Sequence, residues 1–111
     1  MVPLTRDWLQ IDQLMRWELP VVLVASSELG TLNHTLLSLE ALNRRHIAVL
    51  GLILNGPPHA DNPSTLEQFG KIPVLCQLPT LNPLDRSTLA IEWHKQGLGS
   101  KFRQRLNQAL P

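Results

Sequence analysis

A single cysteine in 111 residues excludes an internal disulfide, and no Cys/His group has the spacing of a metal site. Cys76 lies inside an apolar run and reads as a small buried hydrophobe. Charge of either sign is not in excess: 10 Lys and Arg oppose 9 Asp and Glu. Nothing therefore draws the chain as a whole to nucleic acid or an anionic membrane. No stretch approaches the about 20 apolar residues of a membrane span, and the opening MVPLTRDW has no signal-peptide pattern. The cytoplasm is the expected location. Internal repeats, low-complexity segments and clear linkers are missing too. So are a Gly-x-Ser-x-Gly elbow and a glycine-rich loop ending in Lys-Thr or Lys-Ser, which leaves nucleophilic catalysis and a phosphate loop without support.

What is present is ordinary for one globular unit, 43% hydrophobic and 17% charged. Residues 6–17 place Trp8, Ile11, Leu14 and Met15 at helical spacing, with Trp8 and Trp17 expected to pack. After Pro20, the apolar run 21–25 reads as a strand buried on both faces. Residues 31–45 predict a helix with the stripe Leu32, Leu36, Leu39 and Leu42, with Thr31 as its cap and Arg44, Arg45 and His46 at its negative end. IAVLGLIL, 47–54, is the second strand, ending at Asn55-Gly56-Pro57-Pro58.

A third helix starts near Asn62, capped either by Asn62 before Pro63 or by a Ser64–Glu67 box, and Gly70 stops it. The third strand covers 72–78 and a further helix 86–95. A last helix follows Gly97 and Gly99. It sets Phe102, Leu106 and Leu110 against a solvated face of Lys101, Arg103 and Arg105. This alternation predicts an α/β fold: a parallel sheet of three strands with flanking helices, one unit over residues 1–111.

Ligands of such sheets sit beyond the carboxyl ends of the strands. The three ends here are Ser26–Thr31, Asn55–Pro58 and Pro79–Asp85. Glu28 and Asp85 are carboxylates at different ends, and no spacing pairs them as acid and base. His34 falls in the first turn of a helix as a capping or packing residue, and the other histidines are scattered. The helix start at Leu29–Asn33 gathers free N–H groups and the positive end of a dipole. It is either an anion site that needs no lysine or a simple capped turn. Asn55 can donate and accept at once, as the edge of a purine requires, or can simply form a turn.

Taken together, VPL at 2–4, PVVLV at 20–24, LGTLNHTLLSLEAL at 29–42, GLILNGP at 51–57 and IPVLCQLPTL at 72–81 resemble dethiobiotin synthetase. That family is the ATP-dependent ligase that closes the ureido ring in biotin synthesis, and the resemblance covers about residues 2–90. It implies a fold of the P-loop NTPase type and a cytoplasmic homodimer that uses ATP and Mg2+. The family's phosphate loop, its catalytic lysine and the acidic Glu-Gly-Ala-Gly-Gly segment before VPL are not among these residues.

The chain is therefore expected to correspond to the C-terminal half of the enzyme, inactive alone, with no catalytic residue and no Mg2+ site of its own. By the resemblance, Asn55 with Gly56 reads the adenine, and the backbone of Pro79, Thr80 and Leu81 lies along it. Asp85 or Arg86 falls near a further nucleotide contact. Leu29, Gly30, Thr31, Leu32 and Asn33 receive the carboxylate tail of the 7,8-diaminopelargonate held by the other subunit. Ala25-Ser26-Ser27-Glu28 stands where the family often has a glycine. In the family's sheet the 21–25 strand adjoins the phosphate-loop strand, so here it is expected to be an open apolar edge. One chain of a split enzyme, and a non-catalytic module for dimerisation or regulation, are the alternative readings.

Overall fold

Val21–Ser26 (β1), Val49–Asn55 (β2) and Val74–Leu78 (β3) form one parallel sheet in the order β1-β2-β3. The computed structural model describes residues 2–27, 30–57 and 61–109. The helices are α1 (Gln10–Trp17), α2 (Thr31–Arg44), α3 (Asn62–Gly70), α4 (Arg86–Lys95) and α5 (Leu98–Ala109). The expected α/β architecture is the observed one.

The two-residue period of β2 separates the layers. Leu52 and Leu54 enter a core with Leu39 of α2 and Leu66 of α3, while Ile53 packs on the other side against the cluster of Leu75, Cys76 and Leu98, which Phe102 also covers. Helices thus cover both faces of the central strand. A third cluster joins Ile11 of α1 to Leu42 and Ile47.

Several local expectations are corrected. The first helix begins at Gln10, because Leu9 N–H donates to the Asp12 carboxylate at 2.9 Å and caps it there. Trp8 stays outside and donates Nε1–H to Gln13 at 2.9 Å, whereas Met15 and Trp17 are exposed. The first strand is not buried on both faces, since Val24 is 59% exposed. Asp61, not Asn62 or Ser64, precedes α3, and Glu67 accepts the Val74 N–H at 2.8 Å instead of closing a box. Gly70 is the last helical residue. The left-handed cap is Lys71, φ 56°, whose N–H returns to Glu67 O.

The basic face of α5 is also not simply solvated. Pairing slips by one residue at Leu50, between the pairs Val21–Val49 and Val22–Gly51, and again at Leu75, between Leu52–Val74 and Ile53–Cys76. Such extra residues drop out of the ladder. Arg105 Nε–H donates to Leu50 O at 2.6 Å and Lys101 Nζ donates to Leu75 O at 2.9 Å. Two cations four residues apart thereby serve the two irregular carbonyls. Leu106 is 37% exposed, and Leu110 lies outside the described residues.

Among the described residues β1 pairs only with β2. The outer side of β3 carries the Glu67 bond to Val74, but the outer side of β1 borders a groove that Leu23, Val24, Ala25 and Ser26 line together with Thr31, His34, Thr35 and Ser38 of α2. An edge strand that no further strand covers templates pairing with another chain. Self-association that grows with concentration is the expected result in light scattering; a clean monomer at high concentration would contradict it.

Cys76 is buried, as expected. Burial pushes its thiol up from the ordinary 9.0; the Lys101 charge pulls it back, Glu92 adds to the rise and a bond with Gln96 opposes it. A folded-state value above the unfolded one gives stability that is complete below 9.0 and is lost as pH climbs from there through the higher folded-state value. Alkylation of the native chain should be slow at mildly alkaline pH and immediate in urea, and the melting temperature should fall above pH 9.0. Fast native labelling would refute the closed site.

Candidate functional site at the carboxyl ends of the strands

Asn55 closes β2 in register between Ser26 of β1 and Leu78 of β3. Its carbonyl accepts the Ser27 N–H at 3.1 Å, and the next N–H, that of Gly56, donates to Leu78 O at 3.0 Å. The Asn55–Gly56 peptide is gripped from both neighbouring strand ends, while the Asn55 side chain is exposed. A fixed backbone thus presents an amide able to donate and accept. Gly56 has φ 131°, a conformation that glycine alone adopts readily, and a Cβ there would stand 2.5 Å from Ser27 Oγ.

The end of β3 runs straight on into Pro79, half-buried, then Thr80, exposed, and Leu81, half-buried. The register Asn55–Leu78 makes the two nucleotide candidates neighbours along one edge. Asp85 is occupied by structure. Its carboxylate accepts the Thr88 N–H at 2.9 Å and its own N–H donates to Thr88 Oγ1 at 3.1 Å, a reciprocal cap for α4. Arg86 beside it is exposed.

On the β1 side, Gly30 (φ 90°) precedes α2, which has no side-chain cap. Thr31 is the first helical residue, not the cap: it is buried, and its hydroxyl meets that of Thr35 at 3.2 Å. Among the described residues no side chain caps the first-turn N–H groups of α2; Asn33 and His34 are exposed beside them and Leu32 packs on the core. Leu29, and Glu28 before it, lie outside the described residues.

Size points elsewhere. A cleft of about 610 Å3 lies between the far ends of α2 and α3 and is lined by Leu36, Glu40, Asn43, Phe69, Lys71 and Ile72. It sits by the amino ends of the strands, away from the backbone donors and Asn55. Chemistry favours the carboxyl edge. One residue of that edge, Ser27, had no distinguishing mark in the sequence. Its importance arises from Gly56 on the neighbouring strand end, which no spacing within β1 reveals.

A parallel sheet with its polar groups at the carboxyl edge is the layout of nucleotide-handling α/β proteins, and a family model described as an AAA domain matches residues 1–88. The chain belongs to that family. Its relatives there are similar to it at high identity and bear the names the residue resemblance implied. A biotin biosynthesis bifunctional protein BioCD of Bordetella avium is 52% identical over 95 residues, 86% of this chain and 20% of that one. The ATP-dependent dethiobiotin synthetase BioD of Rhodopseudomonas palustris is 51% identical over 80% of this chain and 43% of its own length. That of Bradyrhizobium diazoefficiens is 43% identical over 92% and 48%. The resemblance to dethiobiotin synthetase is borne out, and the chain spans less than half the length of each of these relatives.

Proposed function

We propose that this chain carries the adenine-contact and substrate-tail part of a cytoplasmic, homodimeric dethiobiotin synthetase, as a single α/β unit. The observation that carries the reading is the doubly held Asn55–Gly56 peptide, with an exposed amide next to the Pro79–Leu81 segment. In this reading Asn55 and Gly56 meet the adenine of ATP from one side, and Pro79, Thr80 and Leu81 lie along it. The start of α2, Gly30–Asn33 with Leu29, where a glycine takes the cap position, holds the carboxylate of diaminopelargonate bound across the dimer.

The reaction of the whole enzyme joins CO2 to a substrate amine, phosphorylates the carbamate with ATP and closes the ring with loss of phosphate. Charge on the transferred phosphoryl group calls for cations. These 111 residues contain no Gly-rich Lys-Thr loop. Among the described residues no three His, Cys, Asp or Glu side chains gather as metal ligands. We assign the phosphate and magnesium chemistry to other residues of the full protein, and binding alone to these.

Supplied with ATP, CO2 and diaminopelargonate, the 111-residue chain should form no dethiobiotin; turnover above the blank refutes its inactivity. Titrated with ATP, the backbone amides of residues 55–56 and 79–81 should shift in NMR spectra, and Asn55→Ala should weaken binding three- to tenfold. Unmoved amides there would end the adenine assignment. The open β1 edge favours one second reading, a split enzyme. In that case a separate chain bearing a phosphate loop restores turnover on mixing.

A further inference from the structure

Ser27 directly follows β1 and touches the adenine candidate twice. Its N–H donates to Asn55 O at 3.1 Å, and its Oγ occupies the space that a residue-56 side chain would enter, 2.5 Å from the Cβ position of Gly56. That oxygen is closed to solvent and has no hydrogen-bond partner among the described residues. Leaving a buried hydroxyl unpaired is unfavourable, and folded chains keep few such groups. The residue as a whole is only half-buried, and serine has three staggered wells at χ1. The bond from Ser27 N–H to Asn55 O keeps the residue beside the Asn55–Gly56 peptide, and a change of well takes Oγ out of the space beside Gly56.

We propose that the Ser27 hydroxyl is a ligand group of the nucleotide site, whose missing partner is the polar edge of a bound adenine nucleotide. This rests on the adenine reading of Asn55. A hydroxyl both donates and accepts, which suits a purine edge that offers a ring nitrogen beside an amino group. With the ligand absent the hydroxyl is parked under Gly56. The glycine is required there because any side chain would take that place.

The test is an NMR titration of the unsubstituted chain, Ser27→Ala and Asn55→Ala with ATP up to millimolar concentration, alongside thermal melts of each without ligand. The expected result is a three- to tenfold loss of ATP affinity in Ser27→Ala with an unchanged or higher ligand-free melting temperature, because an unpaired polar atom has been removed. Affinity unchanged in Ser27→Ala but reduced in Asn55→Ala overturns the role of Ser27 and leaves the adenine site standing. Affinity and melting temperature falling together assign Ser27 a structural role and also overturn it. No saturable ATP binding by the unsubstituted chain removes the adenine site and the Ser27 role together. Loss in Ser27→Ala with none in Asn55→Ala removes the adenine reading of Asn55 and, with it, the proposal that rests on it.

Discussion

Leu52→Ala is expected to lower the stability of the chain by about 4 kcal/mol. Leu52 has no exposed surface and is the meeting point of Leu39, Leu54 and Leu66, so α2, α3 and the central strand all touch the space it fills. Truncation loses the transfer free energy of the side chain and leaves a void that a strand held on both sides cannot close. Against an ordinary total of about 5–15 kcal/mol, such a loss leaves the chain close to unfolding at body temperature. Urea denaturation measures it. A shift below about 1 kcal/mol would mean the layers slide to fill the gap, contrary to the close-packed core described above. Ile91→Ala, on the exposed side of α4 at 65% exposure, is the control and should move stability by no more than about 0.5 kcal/mol.

The second large effect is the opposite insult, an added methyl group. Gly51→Ala places a Cβ 2.6 Å from Leu75 Cγ, 2.8 Å from its Cδ1 and 2.9 Å from Pro73 O. The leucine can turn, but the carbonyl cannot, because it accepts the Leu52 N–H at 2.9 Å and so belongs to the β2–β3 ladder. Overpacking of this kind costs about 3 kcal/mol. Coupling identifies the cause: Leu75→Ala added to Gly51→Ala should destabilise by clearly less than the sum of the two single changes. Strict additivity would show that Leu75 turns aside and that the Pro73 carbonyl carries the whole clash.

Strand positions were legible because apolar runs of five to eight residues bounded by Pro, Gly and Asn have few other uses in a chain of this length. Their boundaries were less so. IAVLGLIL opens with Ile47, which is buried yet precedes the strand, since burial and pairing leave the same mark on composition. The burial of β1 was misread for a related reason. Val-Val-Leu-Val suits a strand covered twice and equally one whose second face is open, and Val24 is open. Helix ends were misassigned wherever the backbone decided them. A left-handed Lys71, and a Thr31 whose hydroxyl turns along its helix to Thr35, are set by φ and by neighbouring turns.

At the site, Asn-Gly before two prolines marks a strand end by itself. Its pairing with Leu78 and Ser27 depends on a register that no single segment encodes. The solvated reading of α5 failed at the same point. Lys101 and Arg105 look like surface charge until two slips in the sheet give them carbonyls to hold.

Those two slips have a consequence for the order of assembly. The carbonyls of Leu50 and Leu75 are served by side chains 55 and 26 residues further along the chain. A one-residue slip of the central strand would turn Leu52 and Leu54 out of the core, so burial already opposes it. What burial leaves undone is a partner for the two carbonyls that fall out of the ladder. The final helix supplies both, and so acts as a late clasp on an alignment the strands have already chosen.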